Sequence, residues 1–452
     1  MVGIGGIGMQ ALADVLLDMG HKIIGSDIQD FSGRDRLESK GAKVIIGEQM
    51  ADNVPTDIDG LIYTSAAVRH GETHPEIEAA KSMDKPVWKR SEFIGTLMAN
   101  KIGVAVSGTH GKTTTATLIT LMLQEGGLDP TALIGAEVRS LSGCGILGHS
   151  DYMVVEACEY DRSFLDMQPK IAVLTNIDAD HLDYYQDLAE IKEAFAEFLQ
   201  LLPENGLAVV CGDDPNIADI LPRAKTKVVK FGLGPGNDWM GKNVQYRQGK
   251  MEFEVDGIKT WLQFPGKHLV LDALAAVAVA KHLGVSNTAI KSVLESKFQG
   301  ASRRFEILAE VKGVIFVDDY GHHPTEIAVT LAAARDYFGA RRIRVVFQAH
   351  QYSRTRLLLP DFAKSFHAAD ELLVAPILAV RDSAEDLKSI STEKLATAIN
   401  QVSHNAKAYT DFGEISQYLV ASLQPGDVVI SLGAGKNSDW VREFIPAYQG
   451  RE

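Results

Sequence analysis

Cysteine is scarce. Cys144, Cys158 and Cys211 are the only three in 452 residues, too few and too scattered for a disulfide framework or a CxxC metal site, and a reducing cytosol suits such a chain. Positive charge is short as well. Lys and Arg total 45 against 59 Asp and Glu, a net charge of −14, which excludes a polyanion such as DNA as a general ligand and makes any phosphate binding local. Long apolar runs are absent: the most apolar stretch, 269–280, is interrupted by Asp272 and is too short to span a bilayer. The N-terminus lacks the basic-then-apolar pattern of a signal peptide. No fixed-period repeat or low-complexity tract is present.

What is there is the material of a large folded protein. The length predicts about three domains at roughly 150 residues each, and 46% hydrophobic with 23% charged residues is enough to bury several cores. Residues 21–26, 42–46 and 60–64 read as strands between helical stretches, a βαβ pattern and hence a parallel sheet. A second unit opens with the β-branched run 102–106, a Gly-rich turn and a helix over 113–125, and continues through strands 152–155, 171–174 and 207–211, with the amphipathic 188–202 between the last two. The alternation over 225–264 predicts a hairpin appendage, and a helix over 268–283 closes the unit. New strands at 314–317, 343–347, 371–374 and 427–431 predict a third α/β unit starting near Arg303. The division expected is 1–99, 100–302 and 303–452.

Gly3-Ile4-Gly5-Gly6-Ile7-Gly8 satisfies G-x-G-x-x-G, whose glycines let a pyrophosphate approach a helix N-terminus. Asp27 stands where a ribose-binding acid belongs. The same spacing also suits a ligand-free structural turn, and only Met1 and Val2 precede it as a first strand, so that the true start would lie upstream of Met1.

Gly108-Thr109-His110-Gly111-Lys112-Thr113-Thr114 follows an apolar strand and opens a helix, the setting of a phosphate cradle in which amides and the helix dipole meet oxygens, Lys supplies charge and Thr serves Mg²⁺. Val106 stands where the usual P-loop has its first Gly. Glu156 and Glu159 follow one strand and Asp178, Asp180, His181 and Asp183 another, at the strand ends where α/β sheets place ligands and with the hard oxygens that Mg²⁺ prefers. Of these, Glu156 and His181 are the candidate ligands, while Glu159, Asp178 and Asp183 read as solvated loop carboxylates.

Asp318-Asp319-Tyr320-Gly321-His322-His323-Pro324-Thr325-Glu326 ends a strand and enters a helix. Adjacent histidines rarely chelate one ion without further ligands, so a nucleotide or substrate contact is expected there. Gln348-Ala349-His350-Gln351-Tyr352-Ser353-Arg354 offers His and Arg for a carboxylate or phosphate, or is merely a basic helix start.

Taken in order, GIGGIG, GTHGKTTT, EACEYDRSFL, TNIDADHLD, DDYGHHPTE and FQAHQYSRTR resemble the Mur ligases over nearly the whole chain. The resemblance implies three α/β domains: an N-terminal Rossmann-like domain for a UDP-sugar, a central P-loop ATPase domain, and a C-terminal Rossmann-like domain that closes over the site. It implies an amide ligation in the cytoplasm, for peptidoglycan, with UDP-N-acetylmuramate and L-alanine as substrates and ATP and Mg²⁺ as cofactors. By position, Lys112 cradles phosphates with Gly108, Thr109, His110, Gly111, Thr113 and Thr114; Thr113, Glu156 and His181 serve Mg²⁺; Arg304, Asp319 and Asp272 contact the nucleotide; Gly5, Gly6, Gly8, Asp27, Ser65, His350 and Arg354 contact substrate.

Some positions depart from the family pattern. Leu269 and Asp272 replace the two Asn that usually follow Gly-Arg-His, Cys158 replaces an Asp, and Ala349 and Gln351 replace Pro and Arg. Lys192, the one lysine in the helix after His181, is out of register for a carbamylated metal bridge. Three other readings remain: a ligase adding a tripeptide to the same sugar, an NAD-dependent dehydrogenase built on GIGGIG and Asp27, and a P-loop switch without ligation.

Overall fold

In a computed structural model, residues 1–68, 73–141, 143–380 and 382–450 are described. Three parallel or largely parallel sheets follow one another along the chain, as the alternating pattern predicts.

In the first unit Ile24–Asp27 pairs in parallel with Lys43–Ile46, and Leu61–Tyr63 with Val87–Lys89. Val2 bridges the two halves, paired to both Ser26 and Tyr63. The strand before GIGGIG is therefore reduced to one residue that makes two bridges. Helix Ile7–Asp18 buries one side against Thr131–Val138 and Gly143–Ile146 of the second unit. Contact is close enough that a Cβ on Gly145 would stand 2.0 Å from the Ala11 carbonyl oxygen, so only glycine fits there.

The central sheet has eight strands, ordered Trp239–Met240, Lys227–Gly232, Leu207–Cys211, Ile171–Leu174, Ile102–Ser107, Tyr152–Glu156, Thr131–Val138 and Gly143–Ile146, the last alone antiparallel. Two helices buried on nearly every side, Lys112–Glu125 and Lys267–His282, pack together beneath it, the threonines Thr117 and Thr120 of the first turning their hydroxyls onto the helix's own carbonyls. The expectation of an appendage over 225–264 is half corrected. Lys227–Gly232 extends the parallel sheet beside Leu207–Cys211, because Phe231 is buried there and Val228 and Val229 pack half-buried on the same core, and only Lys242–Arg247, Lys250–Val255 and Ile258–Leu262 form the antiparallel appendage.

The third sheet is ordered Glu306–Val311, Val314–Asp319, Val428–Leu432, Ile343–His350, Glu371–Leu378 and Ala406–Ala408, antiparallel only in its first pair. The first two units share one continuous apolar core, whereas the third sheet carries its own on its two faces. The molecule's natural seam thus lies between residues before and after about 302. Among the described residues no helix is long and apolar enough to cross a membrane.

Candidate active site

Strand Ile102–Ser107 ends in the Gly108–Gly111 turn, and helix Lys112–Glu125 begins at once. Gly108 and Gly111 have φ of 132° and 83°, and a Cβ would come within 2.0 Å of Thr175 Oγ1 and 2.3 Å of Asp272 Oδ1 respectively. The turn is braced from the neighbouring strand end. His110 N donates to Asn176 Oδ1 at 2.8 Å, Asn176 Nδ2 and Thr175 Oγ1 donate to His110 O at 3.0 and 2.6 Å, and Asp178 N donates to Thr109 Oγ1 at 2.9 Å. The first amides of the helix carry no side-chain cap and are left for an anion.

Lys112 Nζ lies 2.9 Å from Glu159 Oε2 and donates to Thr109 O at 2.9 Å. Burial works against its charge, but Glu159 and the neighbouring Cys158 and Glu156 together outweigh it and hold the ammonium above its ordinary range. Glu159 is only 3% exposed, so the expectation of a solvated carboxylate is overturned there: it is the counter-charge of the P-loop lysine. Asp178 departs from that expectation too, since it faces His110 Nε2 at 3.1 Å and accepts from Thr325 Oγ1 at 2.6 Å. Asp183 is exposed.

Thr113 Oγ1 donates to Glu156 Oε2 at 3.0 Å, and Gly135 N donates to the same oxygen at 2.8 Å. A hydroxyl and a carboxylate side by side at a P-loop helix start are donors that fit Mg²⁺. His181 adopts φ of 54°, with Nε2 3.6 Å from Glu159 Oε1 and Nδ1 buried without a hydrogen-bond partner among the described residues. That free nitrogen makes His181 available as a ligand. Lys192 instead pairs with Asp219.

A cavity of about 410 Å³ opens between the central and C-terminal units, lined among others by Gly111, Thr113, Asp272, Arg304 and Asp319. Its inner wall is apolar, from Phe231, Leu269, Leu271 and Phe305, the surface a nucleobase packs on. Burial pushes the Asp272 carboxyl up to about 7 and the His268 imidazole down to about 4. Arg304 lies over the Tyr320 ring and 3.8 Å from Glu326 Oε1. Asp319, pushed up to about 6 by burial, accepts from Phe305 N at 2.8 Å and Gly321 N at 2.7 Å, so it shapes the turn that carries Arg304.

The seam is closed by polar contacts. Arg354 Nε donates to Asp180 Oδ1 at 2.9 Å, while Arg354 Nη1 donates to His350 O at 3.1 Å. Burial alone would raise the Asp180 carboxyl, but His181 and Arg354 hold it well below its usual range. His322 and His323 diverge. The first turns to Tyr320 O at 3.2 Å and the second to Ala179 O at 3.1 Å. His110 lies between Asp178 and Glu326, which outweigh burial and raise it to about 9.

In the first unit Gly5 N donates to Asp27 Oδ2 at 2.8 Å, so Asp27 fixes the glycine turn. Gly6 precedes helix Ile7–Asp18 as an uncapped N-terminus. A Cβ on Gly8 would stand 2.8 Å from Arg90 Nη1. Ser65 follows strand Leu61–Tyr63 in the half-buried turn Ser65–Ala67, at the same carboxyl edge. Arg90, Glu159, Asp180 and Glu326 were missed as functional residues in the sequence. Arg90 begins helix Arg90–Met98, its guanidinium lowered by burial against the opposing pull of Cys158 and Glu156, and nothing in its local sequence marks it.

The description "Mur ligase family, catalytic domain" matches residues 1–102, "Mur ligase middle domain" 106–280, and "Mur ligase, glutamate ligase domain" 303–435. The UDP-N-acetylmuramate--L-alanine ligase of Clostridium kluyveri is 42% identical over 441 residues, covering 96% of this chain and 94% of that protein.

The chain belongs to the Mur ligase family.

Among solved structures, the UDP-N-acetylmuramate-alanine ligase MurC of Thermotoga maritima superposes with a TM-score of 0.83 at 27% identity, covering 100% of this chain and 99% of that one. A murein peptide ligase of Psychrobacter arcticus gives 0.72 at 21% identity, covering 100% and 98%, a likeness of fold alone. The dehydrogenase and switch readings fall with family membership. The glycine turn that suggested NAD is the first unit of a Mur ligase.

Proposed function

We propose that this chain is an ATP-dependent ligase that joins L-alanine to the lactyl carboxylate of UDP-N-acetylmuramate, in a cytoplasmic step of peptidoglycan synthesis. The observation that carries it is the buried Lys112 with Glu159, set beside Thr113 and Glu156 at the mouth of a base-sized cavity, in a chain 42% identical to a ligase of that name. Residues 1–99 take the UDP-sugar on the uncapped glycine turn, 100–302 take ATP, and 303–452 close on ATP and the amino acid. Asp27 holds the turn, and Ser65 and Arg90 flank it.

A carboxylate is a poor electrophile, and two anions must meet before it can be activated. Lys112 and the free amides of its helix neutralise the γ-phosphate. The carboxylate oxygen attacks γ-phosphorus as the bond to the bridging oxygen breaks, giving an acyl phosphate and ADP. The amine of L-alanine then attacks the acyl carbon, phosphate leaves, and the amine gives up a proton. Thr113, Glu156 and His181 are the residues that would hold Mg²⁺, which supplies charge neutralisation to the phosphoryl oxygens. Arg304 reaches the nucleotide across the seam, and His350 and Arg354 order the substrate side once the units close, keeping water from the acyl phosphate.

Phosphate release measured with each substrate omitted tests the reading. Turnover that needs UDP-N-acetylmuramate and L-alanine together is expected, and ATP hydrolysis indifferent to both would overturn it. Running glycine, L-serine and a tripeptide in place of L-alanine separates this activity from tripeptide addition.

A further inference from the structure

Where the central and C-terminal units meet, His110, Asp178 and His323 each offer one ligand atom, all within 4.8 Å of one another. His110 Nε2 lies 3.1 Å and His323 Nδ1 3.5 Å from Asp178 Oδ2. The opposite nitrogen of each ring already faces an acceptor: His110 Nδ1 is 3.2 Å from Glu326 Oε1, and His323 Nε2 is 3.1 Å from Ala179 O. Imidazoles that bind metals are oriented in this way, with the second N–H held by a carboxylate or a backbone carbonyl.

We propose that His110, Asp178 and His323 form a site for a divalent transition cation of the Zn²⁺ class, separate from the Mg²⁺ donors Thr113, Glu156 and His181. Two imidazoles and one carboxylate suit Zn²⁺ or Co²⁺, whereas Mg²⁺ demands oxygens. With metal–ligand bonds of about 2.0–2.2 Å, tetrahedral ligand atoms lie ~3.4 Å apart, so the two imidazoles need only swing slightly toward one another. The contacts to be displaced are the His110 Nε2–H on Asp178 Oδ2 at 3.1 Å, whose proton passes to solvent as the cation takes its place, Thr325 N on His323 Nδ1, a long 3.3 Å, and Thr325 Oγ1 on Asp178 Oδ2. Because His110 and Asp178 belong to the central unit and His323 to the C-terminal one, a bound cation would pin the seam shut over the nucleotide cavity.

The test titrates the full chain, stripped of metals by a chelator and kept in excess Mg²⁺, with Co²⁺ while the visible spectrum is followed. A single equivalent with intense tetrahedral d–d bands, displaced by Zn²⁺, is expected. His110→Gln and His323→Gln should each lose the bands, and His322→Gln, whose ring faces Tyr320 instead, should keep them, with urea midpoints confirming that all three fold. If a glutamine variant fails to fold, His110→Asn or His323→Asn replaces it. Absence of tetrahedral bands in the parent chain, or bands that survive at both His110 and His323, would overturn the site and leave these residues as a hydrogen-bonded latch.

Discussion

Arg354 and Asp180 form a buried ion pair across the seam, Nε to Oδ1 2.9 Å, with each residue at most 7% exposed. They come from sheets with separate cores, so the pair ties two bodies rather than stapling one. Removing one partner of a buried pair normally costs about 3–5 kcal/mol. Here the stranded charge has an escape, because opening the seam rehydrates it.

Arg354→Met should therefore lower global stability by less than that range while shifting the resting molecule toward an open form. X-ray scattering should report a larger radius of gyration, and KM for the amino acid should rise. Asp180→Asn in the same chain should return the radius toward that of the parent. An unchanged radius with a full loss of stability would refute the escape.

Lys112 and Glu159 give the opposite case, since both belong to the central unit and no hinge can relieve a stranded charge. Lys112→Met should cost about 3–5 kcal/mol in urea unfolding, and turnover should fall by at least roughly 10²–10³-fold, the loss seen when one charge-stabilising donor is removed. Adding Glu159→Gln should recover most of the stability and none of the turnover. Recovery of both would mean that Lys112 acts only through folding.

How much of this was legible in the sequence follows from the range of the interactions. Strands Ile171–Leu174 and Leu207–Cys211 stand where the apolar runs put them, because full burial in a parallel sheet is written in the residues themselves. Thr131–Val138 and Gly143–Ile146 were not read, since Gly135, Gly143 and Gly145 dilute the β-pattern. Those glycines answer to distant partners, Gly135 to the Glu156 side chain and Gly145 to Ala11. Carboxylates behaved likewise. Glu159 looks like a loop acid until Lys112, 47 residues away, is folded against it, and Asp178 until Thr325, 147 residues away, closes on it. The P-loop and glycine turn were legible because their chemistry is contiguous.

Asp27→Ala should act on one substrate only. The lost partner is the Gly5 amide, in a turn far in sequence from the P-loop, and a hydrogen bond to a charged group is worth about 1.5–3 kcal/mol. KM for UDP-N-acetylmuramate should rise roughly 10- to 100-fold and KM for ATP should stay within a factor of about two. Equal rises in both would mean that the first unit does not hold the sugar nucleotide.

Asp272 gives a prediction with a sign. Burial pushes its carboxyl up to about 7, and neither the neighbouring Thr115 hydroxyl nor Arg304 brings it back to the ordinary 3.8. The folded chain thus holds a proton that the unfolded chain releases. The stability this gives is complete below about pH 4 and is lost as pH rises to about 7, at no more than about 1.4 kcal/mol per unit and on the order of 4 kcal/mol in all. Asp272→Asn keeps the shape and removes the titration. Urea unfolding at pH 5, 6, 7 and 8 should show the variant gaining on the parent up to about pH 7 and by a constant margin beyond. Asp319, raised to about 6, and His268, lowered to about 4, are present in both chains and cancel in the difference, while His110, which acts on Asp272, is raised to about 9 and keeps one charge across the window. Parallel pH curves for the two proteins would show that the Asp272 carboxylate is solvated and ionised throughout, and that the nucleotide cavity is wetter than its apolar wall implies.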